Sequence, residues 1–135
     1  MMQLQTAKDL VLSYLAAMER RDLKAARACM GPNPEIMFPG GRAFSDINQI
    51  AANSGTRYRV VKKDIARVET WTDGPRVVVL VSGTLYGEWP DGTAFDGIRF
   101  VDRIEVEDGA IMRQDVWNDA GEHVLARQKD ASDAL

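Results

Sequence analysis

The chain has 135 residues, 45% hydrophobic and 27% charged, and its 17 Lys and Arg against 20 Asp and Glu leave a formal net charge of -3. A domain of this length buries roughly two thirds of the surface its unfolded chain would expose, enough for a core without staples. One cysteine, Cys29, and one histidine, His123, exclude an internal disulfide and any metal site that needs two cysteines or two histidines.

No Lys/Arg block exceeds a pair, so no nucleic-acid partner is expected, and the longest apolar run, Val77 to Val81, is too short for a membrane span. The N-terminus lacks the basic and apolar regions of a signal peptide, which reads as a cytoplasmic protein. Gly40-Gly41 leads to Arg42 and not into a helix after a buried strand, so no phosphate cradle and no cofactor are expected.

Leu4 to Met18 carries Leu4, Ala7, Leu10, Val11, Tyr14, Leu15 and Met18 at helical spacing. Asp22 can cap a second helix with Leu23, Ala26 and Met30 on one side, stopped by Gly31-Pro32. Two short β runs, Glu35 to Phe38 and Arg42 to Phe44, flank the turn Pro39-Gly40-Gly41. Ser45 then caps a third helix carrying Ile47, Ile50 and Ala51, ending at Asn53-Ser54-Gly55. Tyr58 to Thr72, Arg76 to Trp89, Ala94 to Glu107 and Ala110 to Asn118 read as strands separated by Asp-Gly-Pro, Pro-Asp-Gly and Asp-Gly turns, an antiparallel meander. Strands this long must twist and curl, which predicts an α+β fold with helices in the concave side. Residues 1–121 form one domain, and 122–135 read as a tail, frayed from Ala126.

Alternation puts Ile98, Phe100, Asp102, Ile104 and Val106 on one face of the third long strand. Apolar residues on both faces of the second suggest that the outer sheet face meets a partner subunit, and a homodimer is expected. Tyr14 lies on the apolar stripe of the first helix, either as a hydrogen-bonded core tyrosine or as a site residue. Asp102 interrupts an apolar row, where an ionised carboxylate is costly unless paired or protonated. It is either half of a buried salt bridge, with Arg113 a candidate partner, or a functional group. Asp115, in phase with Ile111, Arg113 and Trp117, reads as pointing inward; the alternative is a solvent-side partner of Arg113 or Arg103. Two carboxylates in one pocket would push each other's proton affinities apart, giving an acid and a base. His123 lies in a polar stretch and Cys29 has no histidine to activate it, so neither is expected to be catalytic.

The stretches Leu12-Ser13-Tyr14-Leu15-Ala16-Ala17-Met18, Arg21-Asp22-Leu23 and Phe100 to Ile111 resemble the nuclear transport factor 2-like superfamily, in particular its SnoaL-like branch, over about Leu4 to Asp119. The resemblance implies a cone-shaped, strongly curved, mostly antiparallel sheet wrapped around three N-terminal helices, a cystatin-like α+β barrel enclosing one apolar pocket. Activities on this cone run from isomerases, cyclases, dehydratases and epoxide hydrolases to transport adaptors. Tyr14 is similar to the oxyanion-hole tyrosine of ketosteroid isomerase and Asp102 to the protonated aspartate beside it. The proton-shuttling aspartate of that enzyme is matched by Phe38, before Pro39-Gly40-Gly41. Asp115, followed closely by Trp117, resembles the acid/base carboxylate of limonene epoxide hydrolase and of SnoaL-like cyclases.

These readings predict a pocket in which Tyr14, Asp102 and Asp115 are catalytic and Val11, Met18, Met37, Phe38, Phe100 and Trp117 form the walls. The expected guest is a small apolar carbonyl-, phenol- or epoxide-bearing molecule, with cofactor-independent acid/base chemistry of the isomerase, cyclase, lyase or epoxide-hydrolase type. The alternative is a non-catalytic ligand-binding or dimeric interaction module. A cavity of ~300 Å³ or more touching Asp102 favours the first, a packed interior the second.

Overall fold

Ala7, Val11, Tyr14, Leu15 and Met18 recur at helical spacing, and in the computed structural model, which describes residues 2–133, all five are buried on one side of α1 (Met2–Glu19). Asp22 caps α2 (Leu23–Ala28) by accepting from the Ala25 N–H at 3.1 Å, as its position predicts. The chain then enters β1 (Met30–Phe38) directly, so Gly31-Pro32 lies in a strand and does not merely end a helix. The proline is tolerated because β1 shifts register between Met30 and Glu35, and this irregular stretch owes no ladder hydrogen bond.

The turn Pro39-Gly40-Gly41 leads to β2 (Arg42–Phe44), and α3 (Ile47–Arg57) follows. Its cap is Asp46, one residue later than expected, with the Gln49 N–H donating to its carboxylate at 3.0 Å and the Ser45 N–H donating to Gln49 Oε1 at 2.7 Å. The helix also runs through Asn53-Ser54-Gly55, where it was expected to end, and so carries Ser54 and Arg57 to the mouth of the cone.

Four long strands follow: β3 (Val60–Asp73), β4 (Arg76–Glu88), β5 (Ala94–Glu107) and β6 (Ala110–Asn118). They form the expected antiparallel meander within one six-stranded, unclosed sheet of order β2-β1-β6-β5-β4-β3. β1 joins β6 in parallel, a pairing local periodicity does not reveal. The curl is built into β3 and β4, whose pairing shifts register between Ile65 and Arg67. There Gly83 lets the strands close in: a Cβ on it would meet the Asp64 carbonyl oxygen at 2.0 Å.

Residues expected to fray instead form α4 (Ala120–Asp133). Arg127 fastens it, with its guanidinium 5.2 Å from the Trp89 ring centre and 2.7 Å from Asp91. Ala134 and Leu135 of that expected tail lie outside the described residues. Trp89 in turn stacks with Tyr58 and Phe95, centroids 5.9 and 4.5 Å away, sealing that side of the core. Among the described residues no helix is long and apolar enough to cross a membrane.

Candidate functional site

The inner sheet face and α1 enclose a cavity of about 100 Å³. Asp102 reaches it from the middle of β5, flanked across the ladders by Val81 and Val116, and is only 1% exposed. Its Oδ2 is buried and accepts no hydrogen bond. The nearest cation is Lys63 Nζ on β3, at 3.7 Å an ion pair too long for a hydrogen bond. Arg113, the partner considered from sequence, binds elsewhere. Burial raises the Asp102 carboxyl above its ordinary range, and Lys63 offsets part of that rise. The ammonium of Lys63 also lies 5.2 Å from the Phe100 ring centre, a cation–π contact that holds it over the cavity.

Tyr14 enters from α1 and donates a 2.7 Å hydrogen bond to Gln114 Oε1 on β6. Burial, reinforced by the nearby charge of Asp102, pushes its hydroxyl well above the ordinary phenol range, although the Gln114 bond pulls the other way. Tyr14 is therefore a permanent donor, and its first acceptor is Gln114. This bond occupies the amide oxygen of Gln114 and leaves its two N–H donors, which hydrogen-bond nothing among the described residues.

Gln114 was not expected here, and Asp115 was. Between β5 and β6 the register shifts: Val106 opposes Ile111, whereas Glu105 opposes Arg113, so Met112 is an extra residue. Beyond this bulge the alternation is inverted, with Gln114 and Val116 inward beside Ile104 and Asp102. Arg113 and Asp115 turn to the outer face, where Arg113 Nε donates to Asp115 Oδ2 at 2.8 Å and its Nη1 to Glu35 at 2.9 Å. The inward reading of Asp115 is thus corrected to its alternative, an arginine partner.

Of the expected site residues, Tyr14, Met18, Phe38, Phe100 and Asp102 line the cavity. Val11 is fully buried in the adjoining core, while Met37 (38% exposed) and Trp117 (55% exposed) follow Asp115 to the outer face. Lys63 could have been found from sequence, because it shares its strand phase with Val61, which also lines the cavity. Met112 carries no glycine or proline signal, so the bulge and Gln114 could not. Among the described residues no group of three His, Cys, Asp or Glu side chains is placed to hold a metal.

The sequence of the chain matches a known domain model, the SnoaL-like domain, over residues 11–114. The chain belongs to the SnoaL-like family. No curated protein matches it. Solved structures share the fold at low identity. A nuclear transport factor 2-like protein of unknown function from Burkholderia pseudomallei K96243 is 20% identical with a TM-score of 0.71, over 88% of this chain and 95% of that one. TerC, co-crystallised with polyporic acid, is 21% identical with a TM-score of 0.70, over 87% and 95%. A candidate polyketide cyclase from Xanthomonas campestris pv. campestris is 17% identical with a TM-score of 0.70, over 91% and 97%.

Proposed function

We propose that this SnoaL-like protein binds a small enolisable carbonyl compound or phenol in its cone and moves a proton on it without a cofactor. The observation that carries this reading is the Oδ2 of Asp102, buried with no hydrogen bond. An acceptor in that state is costly, and a guest bearing an acidic proton would satisfy it. The raised proton affinity of Asp102 makes it a stronger base than a solvated aspartate, closer to the working pH.

In this mechanism Asp102 takes a proton from the carbon beside the carbonyl, and negative charge develops on the carbonyl oxygen. The free N–H groups of Gln114 and the ammonium of Lys63 receive that charge. Tyr14 is a positioning residue: by holding Gln114 Oε1 it turns the amide's donors to the guest. This differs from the sequence expectation, in which Tyr14 itself donates to the oxyanion. Return of the proton to another carbon would give isomerisation; attack of the enolate on a second carbonyl of the same molecule would give ring closure. A candidate polyketide cyclase and a protein crystallised with polyporic acid among the structural relatives support this class of guest.

The cavity limits the guest. At about 100 Å³ it falls short of the ~300 Å³ expected of a full small-molecule pocket. An apolar cavity of roughly 150 Å³ holds a benzene ring, so this smaller one takes part of a single ring, with the rest of the guest at the mouth. That small volume favours the second reading, a non-catalytic binding module.

Absorbance-detected binding of 4-nitrophenol across pH separates the two. The complex should hold a single proton between the phenol and Asp102, because two facing anions repel. Wild-type affinity then falls about tenfold per pH unit above the ionisation of the phenol, and Asp102→Asn removes that dependence. Binding with the same pH profile in both proteins would leave only the module reading, and absence of binding would defeat both. Association of two chains through the outer face is part of the same proposal, supported by the exposed Trp117. Trp117→Glu should lower the mass seen by sedimentation equilibrium.

A further inference from the structure

The chain is acidic overall, yet the mouth of the cavity is basic. Arg21, Arg57, Lys62 and Lys63 line it, against Glu19 at the rim and Asp102 within. Elsewhere most arginines find carboxylates, as Arg76 holds Glu105 and Glu107, Arg99 holds Asp119, and Arg113 holds Asp115 and Glu35, while Arg27 and Arg42 bond to the asparagines Asn48 and Asn53. Among the described residues Arg21, Arg57 and Lys62 belong to no ion pair, and neither does Glu19. Arg21 is nevertheless held in place. Its Nη2 donates to Ser54 Oγ at 2.8 Å and its Nη1 to the Met18 carbonyl at 3.4 Å, from a backbone φ of 60°. A non-glycine residue in this left-handed region is uncommon, and here it brings a guanidinium back over the end of α1. Arg57 arrives at the same mouth on the last turn of α3, and Lys62 from β3.

Three cations without carboxylate partners, gathered at the entrance of a cavity whose depth already holds a negative group, describe a two-ended site. We propose that the natural guest is itself an anion: a one-ring or similarly compact enolisable or phenolic molecule whose carboxylate or phosphate sits at the mouth on Arg21, Arg57 and Lys62, while its uncharged end reaches Asp102 and Gln114. This inference rests on the reading of the cavity given above and adds the class of guest. Guanidinium groups match the planar oxygens of a carboxylate and the oxygens of a phosphate. The division of charge also sets direction: a basic mouth attracts the anion, and Asp102 repels it from the deep end, so the guest enters ring first.

The test compares 4-hydroxyphenylacetate and 4-hydroxybenzylphosphonate with tyrosol, whose alcohol replaces the anionic group on the same ring, by isothermal titration calorimetry on the full chain. At least one anion should bind roughly tenfold tighter than tyrosol, the sum expected of several partly exposed ion pairs. Which anion binds better distinguishes a carboxylate from a phosphate guest. The advantage should shrink as ionic strength rises from about 0.01 M to about 0.15 M and the screening length falls from about 30 Å to about 8 Å. It should fall by more than half in Arg57→Gln/Lys62→Gln, which leaves only Arg21 of the three cations; neither substituted side chain is buried, and the fold, checked by circular dichroism, should survive. Tyrosol binding as tightly as both anions would overturn this inference and leave the proton-transfer reading standing. Binding by none of the three would overturn both.

Discussion

Two carboxylates on β5, three residues apart, have opposite fates. Glu105 points to the outer face, where Arg76 and Arg103 both donate to it. Burial opposes the effect, but those bonds hold its carboxyl below the usual range. Asp102 points inward, has one cation at 3.7 Å and no hydrogen bond to Oδ2, and is held above its usual range by burial. The outer face has closed its electrostatics within the chain; the inner face has left one acceptor and several donors open. Glu105 has the hydrogen bonds of a structural charge, and Asp102, with an ion pair but no hydrogen bond to Oδ2, is the group on which the proposed function rests.

The strongest way to break this contrast is Asp102→Asn, which keeps the shape and removes the proposed base. Solvent-proton exchange into a bound enolisable ring ketone, followed by NMR, should slow about 10²- to 10⁴-fold. An unchanged rate would return Asp102 to the core. Gly83→Ala strikes the curl that separates the two faces. With its Cβ 2.0 Å from the Asp64 carbonyl oxygen, the β3–β4 contact must move apart, and chemical denaturation should register a loss of about 3 kcal/mol.

Smaller changes sharpen the comparison. Tyr14→Phe leaves Gln114 Oε1 without its donor, so stability should fall by about 2 kcal/mol, and affinity for 4-nitrophenol should fall with it. A stability loss with full affinity would make the tyrosine purely structural. Glu105→Gln should cost about 1–2 kcal/mol near neutral pH. Because its folded pKa is depressed, that contribution is present above the unfolded value and disappears as pH falls through the folded one. Asp102→Asn should show the mirror image in equilibrium unfolding. A raised folded pKa makes the wild-type carboxyl a burden above it, so the variant gains stability at neutral pH and loses the gain below about pH 4. Asp115→Asn is the mildest, with about 1 kcal/mol of stability lost and guest binding unchanged.

Much of this was legible in the sequence wherever local chemistry decides. β5 and β6 match the predicted ranges because the Asp108-Gly109 turn and apolar alternation mark them, and Asp102 stood out as a lone carboxylate in an apolar row. Long-range contacts decided the rest. α4 has few apolar residues to announce it and is fastened by Arg127 to Trp89 and Asp91. α3 outruns its Asn53-Ser54-Gly55 stop because nothing there takes a left-handed conformation. The site was misread where a period-2 rule was carried across Met112, putting Asp115 in place of Gln114.

That single residue in β6 behaves like a reading frame. Upstream of it the sheet presents one set of side chains to the cone, and downstream the other. Deleting Met112 would not abolish the strand. It would turn Arg113, Asp115 and Trp117 inward and Gln114 and Val116 outward, replacing a neutral amide cradle with a charged pair and an indole. Related cones could therefore acquire different linings by gaining or losing one residue in the last strand, with every side chain already encoded and only its side of the sheet changed.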